Sequence, residues 1–211
     1  MNMNQQMNMT NPSASPIPNN NGQTFNVGGH EVMDVHEVLG GLIGAQEQYM
    51  LYRPHIQDQE LLHILDHQSQ FMADQYNIMV ETLSTGQDPS KPTSSYKMNQ
   101  NNNVIYGLKP SQPKKPKQSV NELTDDCISS FMLGLLKTNA TALTTASLEA
   151  TNPVMRRVLA DSIPNFVEMA YEVFLYQNKN GYYQVPVLQA QDMQQIRTGF
   201  SKATTGQQPL M

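Results

Sequence analysis

The sequence predicts an all-α protein, an antiparallel four-helix bundle made of two helical hairpins. Apolar residues recur at three- and four-residue spacing over two long stretches, residues 34–86 and 119–186. Each stretch is interrupted near its middle by a proline-bearing turn, Arg53-Pro54 in the first and Thr151-Asn152-Pro153 in the second. A turn that short forces the helices on either side of it to lie antiparallel.

Residues 1–29 are Asn, Gln, Pro and Ser with scattered methionines. They bury too little apolar surface to offset ordering entropy and are expected to form a disordered arm. Residues 30–186 form the expected bundle. Asp34, three residues before Glu37, has the pattern of a capping box at the start of the first helix. Its apolar seam runs Val35, Val38, Leu39, Leu42, Ile43, Tyr49 and Met50. The helix ends near Pro54, because proline disfavours helical geometry at the residue before it. Asp58 is the expected N-cap of the second helix, whose seam includes Leu61, Leu65, Met72, Met79 and Leu83, and Gly86 stops it.

Residues 87–118 have no helical period, only Pro, Ser, Asn and Lys around the apolar island Val104-Ile105-Tyr106. This linker is long enough to cross the bundle from end to end or to loop out. The second hairpin, 119–186, opens with Ser119 three residues before Glu122 and with Thr124 as another cap. Its first helix carries Ile128, Met132, Leu136, Leu143 and Ala146. Asn152 as N-cap and Pro153 at the first helical position start the last helix, with Met155, Val158, Leu159, Phe166, Met169 and Val173 on its seam. Pro164 inside that pattern predicts a kink. Residues 187–211 are rich in Gln and are expected to be a flexible tail.

At 211 residues and a formal charge of −5, the chain suits one helical domain with tails. The acidic balance argues against nucleic-acid binding, which needs excess Lys and Arg to displace counterions from phosphates. The one basic cluster, Lys109, Lys114, Lys115 and Lys117, is interleaved with prolines and reads as a solvated linker. Cys127 is the single cysteine and cannot close a bridge within the chain. No apolar run approaches the ~20 residues of a membrane span. The N-terminus has neither a basic start nor an apolar core, so no secretory signal is expected. Asn and Gln together supply roughly a fifth of the residues, far above ordinary usage. That composition favours a component of an assembly over a freely diffusing catalyst.

Asn152-Pro153-Val154-Met155-Arg156-Arg157-Val158-Leu159, the long amphipathic helix after it, and then Gly181-Tyr182-Tyr183-Gln184-Val185-Pro186 resemble the Coat F family of spore coat proteins. The resemblance covers both hairpins and is clearest from Thr124 to Pro186. It implies a ferritin-like bundle, synthesised in the mother-cell cytoplasm and deposited in the coat of a bacterial endospore. Other coat proteins are the expected partners, with self-association left open. No catalytic residues carry over from it.

A ferritin-like dimetal site needs an inward Glu from each of two helices and a Glu-x-x-His pair from each of the others. The only such pair, Glu60 to His63, lies in the first turn of its helix, too near the turn for a mid-bundle site. The second hairpin has no histidine. Counting equal distances from each turn places Gln46, Gln68, Asn139 and Ser162 at mid-bundle, about 16 Å along each helix. Amides and hydroxyls supply no charge and are poor ligands for a divalent pair. The expectation is therefore a neutral polar layer that sets helix register, with no metal, no cofactor and no catalytic residue. A weaker alternative places Glu47, Asp66, His67, Glu168 and Glu172 around a single zinc or manganese. On these readings the protein is a structural coat component working through protein contacts. The alternatives are a metal-dependent ferritin-like oxidoreductase and a soluble adaptor. The linker lysines and tail glutamines suit enzymatic Gln–Lys joining, and Tyr182 and Tyr183 suit an oxidative route.

Overall fold

The structure, a computed structural model, describes residues 27–203 and the backbone of 17–18 and 24–25. Most of the expected disordered arm and the end of the tail, 204–211, therefore lie outside the described residues. Four long helices make the bundle: α1 (Gly29–Tyr52), α2 (Gln59–Thr85), α3 (Asp125–Glu149) and α4 (Pro153–Lys179). A short α5 (Ala190–Arg197) follows. In the arm, the two-residue strands β1 (Ile17–Pro18) and β2 (Thr24–Phe25) pair antiparallel.

The expected seams supply the core. Val35, Val38, Leu42 and Tyr49 of α1 are fully buried against Leu61, Leu65, Met72 and Met79 of α2 and their counterparts in α3 and α4. Ile43 and Met50, expected inside, are exposed. The α1 stripe is narrower than its sequence pattern, and at Gly41 the helix comes close to α3, a β-carbon there standing 2.8 Å from Asn139 Oδ1. Contacts run chiefly α1 on α2 and α3, and α4 on α2 and α3, so α1 and α4 sit diagonally.

Local caps account for two helix starts. The Asp58 side chain accepts from the Glu60 N–H, and Asn152 accepts from the Val154 and Met155 N–H groups ahead of Pro153. Gly86 closes α2 with a positive φ of 66°. The other two starts correct the sequence reading. Helix α1 begins at Gly29, not Asp34, and its N-cap Gly28 has no side-chain cap. Asp34 instead meets His30 one turn back at 2.9 Å. Ser119 and Glu122 frame only a 3₁₀ turn over Val120–Glu122, and α3 starts at Asp125 without a side-chain cap from Thr124. Helix α4 runs unbroken through Pro164, whose side chain is exposed.

What holds those two starts is exchanged between the hairpins. The buried carboxylate of Glu31, in the first turn of α1, accepts from the Thr151 N–H (3.0 Å), the Asn152 N–H (3.1 Å) and the Thr151 hydroxyl. Asp125, the first residue of α3, accepts from the Gln57 and Asp58 N–H groups at 3.0 and 3.1 Å. Each hairpin's first helix thus grips the turn of the other hairpin, satisfying donors that a helix end leaves orphaned.

These contacts also fix the connectivity. Glu31 places the start of α1 beside the α3/α4 turn, and Asp125 places the start of α3 beside the α1/α2 turn. The chain between α2 and α3 must therefore cross the whole bundle, the single long crossover found in ferritin-like folds. It climbs α4 in step. Asp88 pairs with Arg157, Thr93 bonds Asp161, the Tyr96 N–H donates to Asn165, the Asn99 N–H to Glu172 and the Ile105 N–H to Asn178. Tyr96 is as buried as the helix seams, 3% exposed. Of the two courses open to residues 87–118 the chain takes the crossing, and it contributes Tyr96 to the core with Met98 partly buried beside it, while Lys109, Lys114, Lys115 and Lys117 are exposed. The tail likewise departs from expectation by forming α5, although no residue from Val187 to Ala203 is buried.

Candidate functional site

The polar groups of the bundle gather where the crossover passes over α2 and α4. Gln68 is fully buried, accepts the Tyr49 hydroxyl at Oε1 (2.8 Å), and donates from Nε2 to the Met169 carbonyl and to Glu172 Oε2 (both 3.1 Å). Glu172 is also fully buried. Its Oε2 receives the Tyr96 hydroxyl as well, and its Oε1 receives the Asn99 backbone N–H at 2.9 Å. The Tyr96 oxygen lies 3.0 Å from His67 Nδ1. A phenol has one proton, and Tyr96 gives it to Glu172, so Nδ1 of His67 is the donor in that contact.

Tyr96 is further fixed by His67, whose ring centroid is 4.7 Å away, and by an edge contact with Phe71 at 5.2 Å. Burial, then the hydrogen bond to Glu172 and its charge, push the Tyr96 phenol far above the usual tyrosine range. Burial does the same to Tyr49, with a smaller contribution from Glu172. The carboxylate is thus ringed by neutral donors that hold their protons. A buried charge is costly unless hydrogen-bonded, and three donors meet that need here.

The single neutral layer expected from Gln46, Gln68, Asn139 and Ser162 does not form. Gln68 belongs to the cluster just described, which contains a carboxylate. The Ser162 hydroxyl lies 3.0 Å from Gln75 Oε1 instead. Gln75 Nε2 is buried without a partner among the described residues. With that amide turned over, Nε2 donates to Ser162, which donates on to the Val158 carbonyl at 2.8 Å. Asn139 lies between α1 and α3, donating to the Leu135 carbonyl at 2.9 Å. Gln46 is only half-buried. Equal counting from the turns set the height of these residues but not the side of the helix on which each one bonds.

The carboxylates and histidine of the single-metal alternative are likewise kept apart. Glu47 is exposed and Glu168 half-buried. Asp66 makes a two-point ion pair with Arg53 at 2.8 and 2.9 Å on the surface, and His67 faces Tyr96. Only Glu172 points inward. Glu60 pairs with Lys179 at 2.7 Å. Among the described residues no group of three or more His, Cys, Asp or Glu side chains is placed to hold a metal ion.

Tyr96 and Asn99 were missed by sequence reasoning because they lie in a stretch with no period. A signal did exist on α4, where Asn165, Glu172 and Asn178 interrupt the apolar seam at positions that turn out buried. Polar residues on a seam call for partners from outside the helix. Elsewhere, Lys114, Lys115, Val120, Cys127 and Phe131 line a surface groove of about 570 Å³ at the start of α3. Lys114 there pairs with Asp126 at 3.1 Å, and half-buried Cys127 lies 3.4 Å from the Thr124 hydroxyl.

The Coat F domain profile matches residues 124–186, which span α3, α4 and the Gly-Tyr-Tyr turn. The chain is 54% identical over 182 residues to the spore coat protein F-like protein YhcQ of Bacillus subtilis (strain 168), covering 86% of this chain and 83% of that protein. A candidate spore coat protein of Bacillus halodurans C-125, solved by crystallography, superposes with a TM-score of 0.57. That likeness covers 79% of this chain and 97% of the other at 16% identity, so it is a likeness of fold alone.

Proposed function

Because the chain belongs to the Coat F family of spore coat proteins, we propose that it is a structural component of the bacterial endospore coat. It assembles through protein–protein contacts and catalyses no reaction. It is made in the mother cell and deposited on the forespore. In this reading residues 30–186 are a rigid body, and the arm (1–29) and the tail (187–211) make the contacts.

The observation that carries the reading is the C-terminal segment. Helix α5 contributes nothing to the core, yet the segment exposes Val187 (57%), Leu188 (55%), Ile196 (59%) and Phe200 (90%). Large apolar side chains left outside the core are available to a partner's surface. The polar cluster at Glu172 supports the same reading from the other side, since its groups are spent on one another and on the crossover.

The test is incorporation. A fluorescent fusion is expected to move from the mother-cell cytoplasm to the spore periphery during sporulation. A chain ending at Pro186, shown by circular dichroism to be as helical as its four long helices require, is expected to be lost from the detergent-insoluble coat fraction. Uniform cytoplasmic fluorescence in mature sporangia would overturn the coat assignment. Normal incorporation of the shortened chain would remove the tail from the contact surface and leave the arm and the bundle.

A further inference from the structure

We propose that His63 and His67 of α2 form a surface site for a divalent cation of the zinc class, with Glu172 orienting both rings from inside the bundle. The inference does not depend on the coat assignment. The two histidines stand four residues apart, which puts them on one face of the helix a turn from each other, the spacing at which paired imidazoles share a zinc ion. Their rings lie 19° from parallel with centroids 6.4 Å apart. His63 is exposed and His67 half-buried, so a cation reaches both from solvent.

What separates this pair from two solvated side chains is how the crossover holds it. One oxygen of the buried Glu172 carboxylate takes the Tyr96 hydroxyl, and the Tyr96 oxygen lies 3.0 Å from His67 Nδ1. The other oxygen takes the Asn99 backbone N–H at 2.9 Å, and the Asn99 side-chain amide lies 3.4 Å from His63 Nε2. Each histidine is thus held at one ring nitrogen by a residue that Glu172 itself holds. Because the Tyr96 proton goes to Glu172, His67 Nδ1–H is the donor to Tyr96, and the neutral ring keeps its lone pair at Nε2. With the Asn99 amide turned so that Oδ1 accepts from Nε2–H, His63 keeps its lone pair at Nδ1. Metal-binding imidazoles are held in the same manner, donating their other N–H to an acceptor that sets tautomer and ring orientation.

The spacing is close to what one ion requires. A Zn–N bond of about 2.1 Å puts each ring centroid about 3.2 Å from the metal, and two such rings at a tetrahedral angle stand about 5.2 Å apart. Closing the observed 6.4 Å by about 1 Å, with a turn of the exposed His63 ring, meets that requirement. Imidazole nitrogen suits zinc, copper and nickel, whereas magnesium and calcium take oxygen ligands. Glu60 shares the same helix face but is paired with Lys179 at 2.7 Å. The chain therefore supplies two ligands, and water completes the shell. Two ligands hold an ion only where it is supplied, so folding does not depend on this site as it would on a closed structural one.

The test is zinc binding to the full-length chain, stripped with chelator and dialysed, followed by calorimetric titration and by nitrogen NMR of the imidazoles. The expected result is saturable binding of one ion, with which magnesium does not compete. Tyr96→Phe, which keeps the ring but leaves His67 Nδ1 without its acceptor, should weaken binding about tenfold, and His63→Ala, which removes a ligand, should weaken it further. His36→Ala, at an exposed histidine of α1, should leave the affinity unchanged. In the metal-free parent chain His67 should be the Nδ1–H tautomer, with zinc shifting its Nε2 resonance, a readout that needs no variant to fold. Equal losses in His63→Ala and His36→Ala would mean scattered surface histidines and would overturn the proposal. So would the absence of saturable binding, or an Nε2–H tautomer at His67 in the metal-free chain. An unchanged affinity in Tyr96→Phe would remove Glu172 from the site.

Discussion

On the α2/α4 side of the bundle the chain lays its own crossover, and three buried polar side chains of α4 hold its backbone: Asn165 that of Tyr96, Glu172 that of Asn99, Asn178 that of Ile105. On the α1/α3 side α1 approaches α3 at Gly41, where a β-carbon would stand 2.8 Å from Asn139 Oδ1, and among the described residues the crossover makes no hydrogen bond to Asn139. The same four-helix frame therefore carries one groove that the crossover fills and one where it makes no such bond. The difference teaches what the buried polar residues are for. They are spent on holding an irregular chain against regular helices, which apolar seams cannot do without leaving backbone donors unpaired.

Substitutions that ignore the distinction should have the largest effect. Phe166→Ala removes a fully buried ring from the core shared by both grooves and is expected to cost about 3–5 kcal/mol in denaturant unfolding. A loss under ~1 kcal/mol would mean that the core assignment is wrong. The next effect should separate the grooves. Tyr96→Phe keeps the ring and deletes one donor to Glu172, for an expected loss of about 1–3 kcal/mol. Thr138→Ala, at the rim of the α1/α3 groove, should fall within about 0.5 kcal/mol of the parent. Equal costs for those two would erase the comparison.

Alkaline titration sharpens it further. Burial, reinforced by neighbouring carboxylates, raises the Tyr49, Tyr96 and Tyr176 phenols above their ordinary range. The unfolded chain releases those protons from pH ~10 upward while the folded chain keeps them. Stability is then full below that pH and falls as pH rises. Phenolate absorbance from these three is expected to appear together with the loss of helical circular dichroism. Gradual ionisation with the helices intact would show the network to be open to solvent.

Hydrogen exchange should find the Tyr96, Asn99 and Ile105 amides protected nearly as well as α4, and residues 110–118 exchanging fast. The smallest expected effect is none. Chelator should leave the melting temperature unchanged, because a structural metal would contribute its binding free energy to folding. A fall of several degrees would direct attention to Glu172 and His67.

The four helices, their order, the seams, the Asp58 and Asn152 caps and the Gly86 stop were legible in the sequence. Each depends on residues within a few positions of one another, where periodicity and capping chemistry act. The family resemblance rested on the same kind of signal, a local run from Asn152 and the Gly-Tyr-Tyr turn. The start of α1 was misplaced because its stabilising partner, the Thr151–Asn152 backbone, lies in the other hairpin. The neutral mid-bundle layer was misjudged for a similar reason. Gln68 meets Glu172, Tyr96 and Tyr49 only once α4 and the crossover are in place, and nothing periodic in residues 87–118 announces that Tyr96 is core. Local chemistry determined which segments are helices and which faces they bury. Tertiary structure alone decided which buried polar groups find one another, since a hydrogen bond between residues 76 apart, as Tyr96 and Glu172 are, depends on how two distant segments are brought side by side.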